Sequence, residues 1–230
     1  MNASSYTEVA QFIRKAYAKG ARRFLVSAPL YDHPYSNIGL FDYFDQLIQQ
    51  VNQTDWQLFI HQLGGKNQAS DLPEVTLADL KKAHPRIFVG IVDQDVHVNH
   101  TVELIRAFDT ALAVATCHEP NLTILNPTDV CVSALANVMP NVIKHVIAND
   151  FVNTATKVPG MKVAKPDERV TELMTILDGY HQVAALKLML SQHYRMEGWE
   201  RVRPPHTALT KEAKAKLMAA FKTFNLQASE

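Results

Sequence analysis

The chain has 230 residues, 23 basic and 23 acidic, so its formal net charge is zero with histidine neutral, and 47% of its residues are hydrophobic. The length fits one large domain or two small ones, with ample material for a core. Balanced charge argues against an electrostatic grip on nucleic acid or on an anionic membrane, both of which need clustered Lys and Arg.

In chain order, the opening MNASSYTEVAQF lacks the basic and apolar regions of a signal peptide. Ser5-x-x-Glu8 is a capping box, and Val9, Phe12, Ile13, Ala16 and Tyr17 behind it step at three and four, predicting a helix. Arg23–Ala28 (RFLVSA) predicts the first strand, and Leu40, Tyr43, Phe44, Leu47 and Val51 a second helix. Gln57–His61 (QLFIH) reads as a strand, Thr76-x-x-Asp79 as a helix start, Ile87–Val92 (IFVGIV) as a strand, and Val102, Leu104, Ile105 and Phe108 as a helix. Ala111–Ala115 (ALAVA) and Val130–Ala134 (VCVSA) predict the fourth and fifth strands, the latter leading through Asn137-Val-Met-Pro140 into a helix over Asn141–Ala148. Beyond Asp167 no strand is expected: Val170–Asp178, Tyr180–Tyr194 and Thr210–Phe224 read as helices, with RVRPPHTAL (201–209) an irregular connector.

The strands are nearly continuous in Val, Ile, Leu and Phe, as parallel strands covered on both faces are. Strand–helix alternation then implies right-handed βαβ units. No Gly-rich phosphate loop follows any strand, which counts against a dinucleotide-binding sheet. No apolar run approaches the ~18 residues that span a bilayer. Cys117 and Cys131 are too few for a disulfide framework and not spaced like zinc ligands, so both read as buried reduced thiols. The expected setting is a soluble, cytoplasmic one.

Several stretches together resemble the dihydrodipicolinate synthase and N-acetylneuraminate lyase family. GARRFLVSAPLYDHP (20–34) followed by GLFDYF (39–44) is similar to that family's fourth strand, T-P-Y-Y-N-x-P motif and G-L helix start. HPRIFVGIVDQD (84–95) resembles its sixth strand, VCVSALANVMP (130–140) its eighth strand and the turn after it, and VRPP (202–205) the connector before its last helix. The resemblance implies an α/β fold of the (β/α)8 barrel type, represented by about its last five βα units over residues 1–160, with a C-terminal helical extension over 161–230. It also implies that the first three βα units, with the Gly-Thr-Thr/Ser-Gly-Glu carboxylate loop, are missing, so that Met1 falls at an internal position of an ordinary member. Five barrel strands would leave two open edges, and the chain alone is expected to be marginal or to associate through them.

In such a barrel the strands' carboxyl ends build the active face. Here they read Tyr31, Asp32 and His33; His61, Gln62 and Lys66; Asp93, Asp95 and His97; Cys117, His118 and Glu119; and Ser133. The resemblance places Tyr31 on the second tyrosine of the strand-four motif, whose phenol relays protons. It places Val92 on the Schiff-base lysine of Gly-Ile-Lys-Glu/Asp, here Gly90-Ile91-Val92-Asp93. That lysine attacks a 2-oxo acid because burial disfavours its ammonium form; valine supplies no nucleophile. His61 replaces a tyrosine, Gly64 a proline, and Lys66 falls near an arginine that pairs with a substrate carboxylate. Ser133 falls on the serine that ends the family's eighth strand and Val132 on the residue whose backbone carbonyl faces bound pyruvate, while Val130 replaces a usual glycine. His61, Asp93, Asp95, His97 and His118 could converge on a metal, yet they form no recognised signature.

The expectation is a divergent family protein without Schiff-base activity. Its catalytic candidate is Tyr31; its substrate-binding candidates are His61, Lys66, Asp93, Val132 and Ser133; no metal or external cofactor is assigned. Its ligand is expected to be a small 2-oxo acid or carboxylate, with no nucleic-acid or membrane partner. Homo-oligomers, or association with a related barrel subunit, are expected. Two alternatives stay open: an active lyase with chemistry rebuilt on Lys66 or the His/Asp cluster, and a non-catalytic partner subunit of a full-length barrel.

Overall fold

Four short runs of β-branched and aromatic residues pair into one parallel sheet, with helices packed against one face. The computed structural model describes residues 5–31, 34–65, 70–122, 131–148 and 168–223. These fall into two compact units: residues up to Asn121 together with Cys131 and Val132, and Leu122 together with Ser133 onward. The division expected at 160/161 lies outside the described residues.

In the first unit, α1 (Tyr6–Ala18) begins where the capping box places it, with Ser5 Oγ accepting from the Glu8 amide at 3.2 Å. Strand β1 (Arg23–Val26) leads to α2 (Asn37–Val51), whose cap is Ser36, accepting from the Gly39 amide. Strand β2 (Gln57–Gln62), α3 (Glu74–Ala83), β3 (Phe88–Asp93), α4 (Val98–Phe108) and β4 (Ala113–Thr116) follow, and the strands lie in the order β1-β2-β3-β4. The short α5 (Glu119–Leu122) closes the series.

Register sorts the side chains into two faces. Val26, Ile60, Ile91 and Val114 are mutual partners and are all fully buried against Val9, Ile13, Phe44, Leu47, Leu77 and Leu104 from the helices. A register shift opposite Leu58/Phe59 moves the pairing from Phe88 to Gly90. The extra residue lets Phe88 and Ile91, three apart, both reach the helix-covered core. On the opposite face Phe59 lies against Gly90, where a Cβ would stand 2.5 Å from a Phe59 ring carbon and 2.7 Å from the Ala113 carbonyl oxygen. One of those obstacles is backbone, so Gly90→Ala is expected to cost about 1–3 kcal/mol by overpacking. A urea titration would show it as a lowered midpoint at unchanged slope.

In the second unit α6 (Pro140–Ala148), α7 (Glu168–Leu177), α8 (Gln182–Tyr194) and α9 (Lys211–Thr223) bury residues such as Met139, Ile143, Leu173, Leu188, Met189 and Leu217. An ion pair of Lys214 with Glu200, and a 3.3 Å hydrogen bond from Ser191 Oγ to the same carboxylate, anchor the connector between α8 and α9.

Two expectations are corrected. No fifth strand forms over the described part of Val130–Ala134. Residues 131–133 have no regular structure and lead into a 3-10 turn, Leu135–Asn137, while Val130 lies outside the described residues. Val132 is 42% exposed, without the cover on both faces that a buried parallel strand has. Helix α3 starts at Glu74, with Pro73 at its N-cap, and Thr76 is buried inside its first turns instead of capping it. Proline's fixed φ and the acidic Glu74 suffice to start the helix there.

Candidate active site

Strands β2, β3 and β4 end side by side, and alternation sends their last residues to two faces. Gln62, Asp93 and Thr116 are register partners on the helix side, all essentially inaccessible. Each spends its polar atoms on the loops. Gln62 donates from Nε2 to the Leu72 carbonyl at 2.7 Å and accepts from the Leu72 amide at 2.9 Å. Asp93 accepts from Thr101 Oγ1 at 2.5 Å and from the Asp95 amide at 3.2 Å, and its Oδ1 lies 3.1 Å from His100 Nδ1. Thr116 Oγ1 accepts from the His118 amide. Asp93, expected to touch substrate, therefore binds α4 to the end of β3.

The β2–α3 loop is held by Asp71, whose carboxylate accepts from the Leu63 and Gly64 amides at 2.6 and 2.8 Å. Burial raises the Asp71 pKa despite those bonds. Gly64 has φ +61, and a Cβ there would lie 2.7 Å from Asp95 Cα. Proline, fixed near φ −65°, is barred from this turn. Asp95 Oδ1 in turn accepts from the His97 amide at 2.7 Å, and its carbonyl accepts from Asn121 Nδ2.

His100 has its pKa raised, first by the Asp93 hydrogen bond and then by neighbouring carboxylate charge working against burial. A raised folded value means the folded state binds a proton the unfolded state has released, so this contribution is complete below the ordinary 6.5 and is lost as pH climbs through the folded value. Stability is expected to fall on that alkaline flank in the wild-type chain and to fall less in His100→Gln, as urea midpoints across pH would show.

The other face carries His61, Val92 and Ala115 as register partners, with Cys117 two residues further along the same side. Val92, at the position the resemblance gives to the lysine, is 2% exposed. His61 is half-buried, and its Nε2 lies 3.5 Å from the half-buried Cys117 Sγ. Burial lowers the His61 pKa, with a Gln94 hydrogen bond pulling the other way. Burial, then the charges of Asp93 and Glu119, push the Cys117 thiol up to about 12. The pair is thus a neutral imidazole facing a neutral thiol.

The remaining candidates do not gather on that row. Tyr31, 53% exposed, lines a cavity of about 580 Å³ with Tyr6, Tyr35, Ser36, Tyr43 and Gln46, and His61, Val92 and Cys117 are not among its described lining residues. Val132 is exposed and belongs to the first unit, whereas half-buried Ser133 belongs to the second. Lys66, Asp32 and His33 lie outside the described residues. Among the described residues no group of three His, Cys, Asp or Glu is arranged to hold a metal ion.

No family model and no curated protein matches the chain. Solved structures do. Dihydrodipicolinate synthase from Agrobacterium tumefaciens superposes with a TM-score of 0.80 at 21% identity, over 97% of this chain and 73% of that one. The fold is that of the dihydrodipicolinate synthase and N-acetylneuraminate lyase barrels. N-acetylneuraminate lyase from Fusobacterium nucleatum, complexed with pyruvate, gives a TM-score of 0.73 at 11% identity over 97% of this chain and 71% of that one. A catalytic-lysine mutant of Ruminococcus gnavus sialic acid aldolase gives 0.70 at 15% identity, over 97% and 73%. The described strands are parallel and in sequential order, as consecutive barrel strands are. Among the described residues, no helix is long and apolar enough to cross a membrane.

Sequence reasoning missed Asp71, Thr101 and the His61–Cys117 contact. Asp71 stands two residues before Pro73 in SDLPE, a turn signal that hints at backbone capping. Cys117 and His61 are 56 residues apart, and nothing local announces their approach.

Proposed function

We propose that this chain is a divergent relative of the aldolase-type lyases that binds a small 2-oxo acid or carboxylate at the ends of β2–β4 without forming a Schiff base. The observation that carries the reading is Val92, buried on the inner row of β3 between His61 and Ala115, where the resemblance calls for an amine. A Fusobacterium nucleatum neighbour is complexed with pyruvate, a Ruminococcus gnavus neighbour is described by its catalytic lysine, and both share this fold. His61 is the proposed ligand contact on this row. Asp93 acts through the loop it holds, and the chain is proposed to work as a homo-oligomer.

The test is incubation with pyruvate and sodium borohydride, with intact and peptide mass, beside a thermal melt in pyruvate. The expected outcome is a raised melting temperature with no reduced lysine adduct. An adduct on Lys66 or any other lysine overturns the non-covalent-amine reading, and an unmoved melt at saturating pyruvate overturns binding.

A further inference from the structure

We propose that Cys117 is a carbonyl-directed nucleophile: with His61 as its base, it adds reversibly to the keto carbon of a small 2-oxo acid. This rests on the reading that such an acid binds here. The two side chains come from β2 and from the residue following β4, and they meet across the end of β3, beside the row that carries Val92. Both are half-buried, hence reachable by a small molecule and partly shielded from water. Their separation of 3.5 Å is a hydrogen-bond distance for sulfur, and a nucleophile within hydrogen-bond reach of a base is the arrangement nucleophilic catalysis uses.

The step balances without a co-reactant. The sulfur–carbon bond forms as the carbonyl π bond breaks, and that electron pair moves to oxygen. The thiol proton passes to His61 Nε2 and from there to the new alkoxide, giving a thiohemiketal. Nothing is oxidised or reduced. Burial pushes the thiol up to about 12, so there is no standing thiolate and the proton must leave as the sulfur–carbon bond forms; His61, 3.5 Å away, is the acceptor within reach. Valine at 92 leaves no amine to compete for the same carbon.

The experiment uses pyruvate labelled with carbon-13 at the keto position, mixed with the full chain and followed by NMR and by thermal melt. A tetrahedral-carbon signal distinct from free pyruvate hydrate is expected in the wild-type protein and in Cys131→Ala. It is expected to be lost in Cys117→Ala and Cys117→Ser, the latter close to the thiol in volume. In His61→Gln the exchange between ketone and adduct is expected to slow on the order of 100-fold. A signal that survives in Cys117→Ala overturns the proposal, as does a pyruvate-raised melt with no tetrahedral signal, which leaves non-covalent binding standing. An unmoved melt without a signal overturns both.

Discussion

Asp93→Ala is expected to lower stability by about 3–5 kcal/mol, the cost of breaking a buried charged network from one side. The side chain is fully inaccessible and serves three donors, Thr101 Oγ1 and His100 Nδ1 from α4 and the Asp95 amide from the loop before it. Deleting it leaves the Thr101 hydroxyl buried without its acceptor and removes the hydrogen bond that contributes most to raising the His100 pKa. Asp93→Asn retains an acceptor oxygen and is expected to cost less, about 1–3 kcal/mol. Urea unfolding of the two variants separates charge from shape. Equal losses would mean that the carboxylate's charge accounts for the whole effect and the retained acceptor for none of it. In Asp93→Ala the alkaline dependence assigned to His100 is expected to disappear as well.

Val92→Lys is expected to convert a protein that pyruvate and borohydride leave unlabelled into one labelled at residue 92. Val92 is 2% exposed, so an amine placed there loses hydration and its ammonium form is disfavoured, which supplies free amine near neutral pH. Condensation with the ketone releases water and forms the iminium, which borohydride reduces to a stable secondary amine. The longer side chain crowds the row between His61 and Ala115, and about 1–3 kcal/mol of stability is expected to be lost. Peptide mass locates the adduct. A folded variant that stays unlabelled would mean that 2-oxo acids do not reach this row, and the proposed binding would fall with it.

The helices of the first unit were legible because their signals are local. Ser5 and Glu8 sit in one turn, and the apolar steps of α1 and α2 run at the helical period. The strands were legible as apolar runs and the family resemblance as spaced short motifs. The segment over Val130–Ala134 was misread for the same reason: its residues have strand propensity, and propensity carries no information about whether a neighbour pairs with it. Candidate site residues were found by where strands end, which identifies Asp93 and His61 alike.

What the sequence by itself determined is the alternation of strand and helix, the charge balance and the absence of an amine at residue 92, since each can be read from one residue or its near neighbours. Only the tertiary structure decided which way each strand end points. Val92 and Asp93 are adjacent, yet the pleat sends one to the Cys117–His61 row and the other into the α4 network. The register shift opposite Leu58/Phe59 accompanies that phase, and it forms between strands roughly 30 residues apart whose pairing depends on long-range packing of Phe59 against Gly90.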